Sequence, residues 1–469
     1  MRVSMPSSDA AMTRRDYRIP ETSGEVLCEP GGEAIAALLE ANAQALAAAR
    51  VDILGRHLAD LRAEARAQVL AAARDHARRL GLVGLTDPIL LEGGPGAGGR
   101  PLILSGHQPQ FVHPGVWLKY FLLDHLCRRL DGAGVNIVVD SDAVEAVAAD
   151  VPAMNGELAL ARETLVETPP DVPYEVHPAP TRGAWERYLD RLRARLDAAG
   201  ASFIDERLAR FAASAAAALD GAATLSDFLT GARRRYEGGP RRYLEIGVSQ
   251  MAATPAFLRF FLHIALDHAR FASLYNATLD DYRQRHRLRS VAQPFPNLMV
   301  EEGRVELPFW VVRGGRREPL FAEPVGGALR LLAPDTVLLD LPAGDPEAAL
   351  SDLRASGLRV RPRALTLTTF CRLCVGDLFI HGVGGGRYDE ATDAVAEAFY
   401  GIRPPDYMVA TATLWLPLGS PAQIAEERNR LNRRLLDLQH SPDRYLEDPD
   451  DGQRALIEEK WTHIRAVEG

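Results

Sequence analysis

Between Pro101 and Asp140 the chain reads as an apolar run, a loop, a helix and a second apolar run, and this order constrains the fold more than any other feature. PLIL (101–104) and VNIVVD (135–140) are largely apolar on consecutive rather than alternate residues, as strands buried on both faces must be. A helix predicted from Pro114 to about Leu130 joins them, which makes the segment a βαβ unit of a parallel sheet. The order returns near the C-terminus. There the sheet is expected to resume at LRV (358–360), followed by a helix over about Leu365 to Val375 and the strand DLFIHG (377–382). A glycine loop, a helix from Tyr388 to Phe399 and a long β segment YMVATATLWLPL (407–418) complete it. The expected class is α/β: a Rossmann-like parallel-sheet core with helical and small antiparallel β insertions and a helical C-terminal tail.

The chain divides on this reading into seven segments. Residues 1–25 are polar and aperiodic, a loosely ordered arm. Residues 26–100 form a helical segment in which Leu54, Leu58 and Leu61, then Val69, Ala72 and Ala73, fall at helical spacing, as two helices in an antiparallel pair. A flexible break, GGPGAGGRP (93–101), closes it. Residues 101–180 are the first half of the core and 181–290 a mainly helical insertion, interrupted near Gly238 to Gly247. Residues 291–356, with ELPFWVV, PLF and ALRLLA between glycine pairs, read as an antiparallel meander. The second half of the core takes 357–420, and the amphipathic tail 421–469 carries Ile424, Leu431 and Leu435 on one side.

Candidate chemistry gathers where predicted strands end. In LILSGHQPQFVHPGVWLKY (102–120) a strand enters a loop with two histidines and then a helix opened by Pro114, which suits a first helical turn. The N–H groups of Gly115 and Val116 are then donors for a phosphate or carboxylate, with His107 and His113 beside them to stabilise developing charge. The alternative is that Gly106 and Gly115 merely serve tight turns while the histidines cap strand and helix ends. Asp140 and Asp142 end the second strand at the same sheet edge; they fit an amine, ribose hydroxyls or magnesium, and also an Asx turn with a helix cap. In IHGVGGGRYDE (380–390), Gly384, Gly385 and Gly386 permit close approach of a ligand or serve packing alone, Arg387 can pair an anion, and His381 sits at the strand end. Ser105, Gln108 and Tyr388 complete the candidate substrate contacts.

Other features weigh less. Cys371 and Cys374 form a C-x-x-C without a second pair or neighbouring histidines, so buried small hydrophobes fit better than zinc. Arg372 between them needs an anionic partner, either substrate or a structural carboxylate. Tyr282, Arg283, Arg285, His286, Arg287 and Arg289 concentrate charge either for a polyanionic ligand or as a solvated face. The run from Phe257 to Phe271 reads equally as plain core.

Composition narrows the function classes. The 469 residues are 47% hydrophobic and 25% charged, ordinary for a globular chain. A formal net charge of −9 argues against a broad nucleic-acid footprint. No run reaches the ~20 apolar residues that span a bilayer, the first residues lack the apolar middle of a secretory signal, and only four cysteines occur. A cytoplasmic location, a small-molecule substrate, and no nucleic-acid or membrane partner are expected, with a homodimer allowed.

The order apolar strand, Ser105-Gly106-His107-Gln108-Pro109, Pro114-Gly115, helix, and later strand, Gly382-Val383-Gly384-Gly385-Gly386, Tyr388, helix resembles the cysteine-adding enzyme family of bacillithiol biosynthesis. The resemblance covers about residues 100–145 and 360–418. It implies a Rossmann-like core related to the class I nucleotidyltransferases and a ligase or transferase that joins a small amine or amino acid to an anionic acceptor. In that reading His107 and His113 stabilise charge, Asp140 or Asp142 holds the amine and Arg387 the anion. His113-Pro114-Gly115 keeps three positions of the His-x-Gly-His signature of nucleotidyltransferases, with Val116 in the last. A nucleotidyltransferase using ATP or ADP with magnesium is the alternative this second likeness implies, with no metal-ligand residues assigned, and a non-catalytic ligand-binding protein on the same fold is a further alternative.

Overall fold

The computed structural model describes residues 17–92, 99–154, 158–288, 295–301, 303–416, 421–446 and 449–468. The chain divides into two units, Met1–Leu414 and Trp415–Gly469. Most of the expected arm, residues 93–98 of the glycine break and Arg289 lie outside the described residues.

The larger unit is α/β and built on a six-stranded sheet. Its strands are β1 (Val26–Glu29), β2 (Leu102–His107), β3 (Ala133–Val138), β4 (Tyr243–Gly247), β5 (Leu378–His381) and β6 (Met408–Ala412), in the order β1-β6-β5-β2-β3-β4. All neighbours pair in parallel except β1, which runs antiparallel to β6 at one edge. Because successive side chains point to opposite faces, Leu104, Val135, Ile137, Ile246 and Phe379 enter one apolar layer. Ile103, Leu378, Ile380 and Met408 enter the other. Burial on both faces accounts for the unbroken apolar runs.

Helix α1 (Pro114–Arg129) joins β2 to β3, and helix α2 (Val383–Tyr400) joins β5 to β6. The chain order reverses between β2 and β5: from β2 the chain proceeds to β3 and β4 on one side, while β5 and β6 fill the other. Open α/β sheets leave a crevice at such a reversal, outside the carboxyl ends of the strands.

Several expectations are corrected. The expected helical segment 26–100 opens with strand β1, and Tyr17, from the expected loose arm, is buried in the main core. Helices Ala34–Ala48 and Leu58–Arg79 are present, but a tight hairpin separates them, with Leu54 in its turn at φ 51°. Their apolar faces serve different layers: Ile35 and Leu39 join Met408 and Ala410, whereas Leu61, Ala65 and Val69 join Leu104 and Val135. Strand β4 lies inside the expected helical insertion and forms an edge of the core sheet. Strands Ala146–Met154 and Leu158–Glu167 pair antiparallel, and apolar side chains from them pack with Trp185, Tyr188 and Phe228 in a separate core.

The expected meander is present as four strands from Arg304 to Pro342, joined by Val360–Pro362. That last strand was expected in the parallel sheet; it pairs instead with the meander, Phe309 opposite Pro362. The long β segment after Tyr407 shortens to β6. Phe257, Phe260 and Phe271 are core, as are Cys371 and Cys374, both fully buried. In the smaller unit the tail is two helices, Pro421–His440 and Asp451–Glu468, with Leu431 and Leu435 exposed. Among the described residues no helix is long and apolar enough to cross a membrane.

Candidate functional site

A cavity of about 690 Å³ opens at the chain reversal, at the carboxyl ends of β2, β3, β5 and β6. Its floor is Gly106, His107, Lys119, Ile137 and His381, and Gly382 to Gly385 form one wall. The facing wall is built by Trp310 and Arg317 of the meander together with Arg363, just past strand Val360–Pro362. The volume falls in the ~300–1,000 Å³ range of small-molecule sites.

Histidine geometry at the floor is set by the loop between β2 and α1. His113 is the N-cap of α1, and its Nδ1 accepts the N–H of Gly115 at 3.1 Å. A neutral imidazole that accepts at Nδ1 carries its proton on Nε2, so the ring is a donor there. His107 has the opposite tautomer, because its Nδ1 lies 3.1 Å from the carbonyl oxygen of Gln108, which can only accept. Its Nε2 therefore keeps a lone pair. Burial, then the nearby Lys119 charge, push His107 down to about 4, and the same two causes lower His113. Two neutral rings of complementary tautomer thus line one cavity.

The capping role corrects the expectation for the donors of α1. The Gly115 N–H is taken by His113, and Val116 N–H donates to His113 O at 3.0 Å. Gly115 itself is a close-packing residue, since a Cβ there would stand 2.3 Å from Thr411 Oγ1 and 3.1 Å from Ala412 O.

The free helix terminus is at α2 instead. The expected glycine loop is its first turn: α2 begins at Val383, capped by the backbone of Gly382 with no side-chain acceptor. The first N–H groups of a helix have no partner within it, and here they border the cavity with the positive end of the helix dipole. Two of the three glycines are required by packing: a Cβ at Gly385 would lie 2.9 Å from His381 Nδ1, and one at Gly386 2.4 Å from Val409 Cγ2. Gly384 faces open space.

His381 is held by a buried chain of charge. Its Nε2 lies 2.7 Å from Asp389 Oδ2, and Arg372 reaches Asp389 at 2.8 Å and Asp393 at 2.7 Å. Burial lowers the His381 pKa in spite of that carboxylate. For Asp389, burial works upward but His381 and Arg372 outweigh it and hold the group low. Arg372 also donates to the carbonyl of Pro405 at 2.6 Å, so its partners are structural carboxylates and backbone.

Other candidates also have partners away from the cavity. Ser105 is fully buried and donates to Ile380 O. Asp140 accepts from Ser249 N at 2.8 Å and Ser249 Oγ at 2.5 Å, tying β3 to the turn after β4; burial, then Glu175, push it up to about 7. Arg387 contacts Tyr17 O at 3.5 Å, and Tyr388 is exposed with its ring near Phe295. None of these five, Ser105, Asp140, Arg372, Arg387 and Tyr388, lines the cavity. Asp142 and Gln108 do, joined at 3.0 Å, with Arg317 2.6 Å from the other oxygen of Asp142. Within the basic cluster Arg283 pairs with Asp280, Arg285 with Asp281 and His286 with Glu390.

The residue that local patterns missed is Lys119. It is 2% exposed, lines the cavity, and donates to Gly106 O at 2.8 Å. Burial alone lowers its pKa to about 8, and among the described residues no carboxylate opposes it. One signal was available: of 54 basic residues only two, Lys119 and Lys460, are lysines. Arg317, Arg363 and Trp310 lacked such a signal, since only the tertiary fold brings the meander to the sheet edge.

Comparisons with family models, with curated proteins and with solved structures give no match.

Proposed function

We propose that the chain is an enzyme of the ligase or transferase type that joins a small amine or amino acid to an anionic acceptor in this cavity. The carrying observation is the convergence, at the chain reversal, of buried Lys119, neutral His107 and His113, and the start of α2, which has no side-chain cap. The ammonium and the helix terminus receive the anion. His107, with a lone pair on Nε2, accepts the proton that an attacking amine must lose, and His113 donates to the oxygen that gains charge. Asp142, steadied by Gln108 and Arg317, borders the place for a cationic amine.

The parallel strands lie in the order β4-β3-β2-β5-β6, which is 3-2-1-4-5 when they are counted from β2 in chain order, and this supports a Rossmann-like reading; the reaction class agrees with the resemblance to the cysteine-adding family. A phosphate-bearing acceptor such as ATP suits the same terminus. Asp142 is the one carboxylate among the described lining residues and both its oxygens are taken by Gln108 and Arg317, so the residues present do not fit a magnesium ion held by the protein.

The test is a thermal-shift series on the full chain with ATP, ADP, magnesium, cysteine and amino-sugar phosphates, for wild type and His107→Ala. Binding at a hundredfold excess over Kd stabilises by about 2.7 kcal/mol. An anion-dependent rise that the variant reduces is the expected result. No rise with any compound, or an identical rise in the variant, would overturn the assignment.

A further inference from the structure

We propose that Lys119 is an imine-forming nucleophile that takes an anionic carbonyl compound, of the 2-oxo acid kind, from this cavity. The imine chemistry shares the cavity with the ligation reading but does not depend on it.

Arginine carries the buried positive charge elsewhere in this protein. Arg62, Arg233, Arg234 and Arg372 are buried or nearly so, and each has a carboxylate partner, Asp377, Glu237 or Glu245, and Asp389 respectively. Arginine stays protonated in proteins, so these are fixed charges. Lysine is used at only two places. Lys460 is in the smaller unit and pairs with Asp443. Lys119 is buried, lines the cavity and has a backbone carbonyl for a partner. What lysine offers there and arginine cannot is a primary amine that sheds its proton, and desolvation without a counter-charge favours that neutral form.

The surroundings supply the rest of the reaction. The neutral Nζ attacks the carbonyl carbon, forming a C–N bond while the carbonyl π pair moves to oxygen. The alkoxide takes a proton from the Nε2–H side of His113, and the nitrogen gives one to Nε2 of His107. Loss of the hydroxyl as water, with a proton returned from His107, leaves the C=N bond, whose nitrogen gives its remaining proton back to His113; no oxidant or reductant enters. The two tautomers fixed by Gly115 N and Gln108 O match the donor and acceptor that this sequence of steps needs. The carboxylate of a 2-oxo acid then meets the first turn of α2 or the Arg317 and Arg363 wall.

The experiment is borohydride trapping on the full chain with pyruvate, without nucleotide or added amine, read by intact mass and peptide mapping. Its failure therefore leaves ligation untouched, and the reverse. Reduced adduct at Lys119 at least about tenfold above that at Lys460 is the expected result, and it is read in wild type, so no variant need fold. His107→Gln should slow labelling of Lys119 by roughly tenfold to a hundredfold while leaving Lys460 unchanged. Equal labelling of the two lysines, labelling at Lys460 alone, or none would overturn the proposal.

Discussion

Replacing Lys119 by methionine removes a charge that the folded state must hold without a counter-ion, and the consequence can be worked from its environment. Burial lowers the group from its ordinary 10.5 to about 8. Between those values the unfolded chain binds a proton that the folded chain does not, so wild-type stability rises with pH across that window. The penalty is fully present below pH 8 and is lost as pH approaches 10.5. A shift of that size corresponds to about 3 kcal/mol, from ~1.4 kcal/mol for each pH unit. The assay is urea denaturation of wild type and Lys119→Met at about pH 7 and pH 10, with other alkaline titrations cancelling in the difference. Wild type should gain roughly 2–3 kcal/mol relative to the variant over that interval. At neutral pH the variant is spared the charge penalty but gives up the hydrogen bond to the Gly106 carbonyl, worth about 0.5–1.5 kcal/mol, so the two effects oppose each other there. Parallel pH dependence in the two proteins would refute the claim that Lys119 is desolvated and uncompensated.

Two further outcomes test the scaffold. Arg372→Met leaves Asp389 and Asp393 buried without their cation, and should cost about 3–5 kcal/mol in urea denaturation; a loss under about 1 kcal/mol would show that the pair is not held as described. Gly115→Ala sets a methyl against Thr411 and Ala412 while Gly384→Ala meets open space, so the first should lose about 1–3 kcal/mol and the second under about 1. Equal losses would count against the close approach of α1 to β6.

The parallel half of the fold was legible because β2, β3 and β5 are buried on both faces and show it as unbroken apolar runs. Strand β4 was not, because its sequence YLEIG puts Glu245 in the middle of a buried strand. That glutamate is matched by Asn136 on β3 at 2.9 Å and by Arg233, a compensation that exists only after folding. Strand Val360–Pro362 looks the same whether it joins a parallel core or a meander, and only the pairing with Phe309 decides. At the site, the strand ends and both histidine loops were readable as local chemistry. Their roles were not: His113 is both a cap and a cavity donor, and the glycines at 385 and 386 are there because a ring and a valine press on them.

The two functional readings meet in one energetic fact. The fold neutralises its buried arginines with carboxylates, yet leaves Lys119 with a carbonyl oxygen. An apolar side chain would serve stability better at a buried position, so packing gives no reason for the ammonium. Such local violations of the rules a fold otherwise obeys are expected where a ligand, rather than the protein, completes the site. An incoming anion relieves the cost by supplying the missing charge. Loss of the proton relieves it as well and leaves the amine ready to react. The second route depends on the desolvation, so a Lys119 that titrated at its ordinary value would remove the physical basis of imine formation while leaving the ammonium to receive an anion.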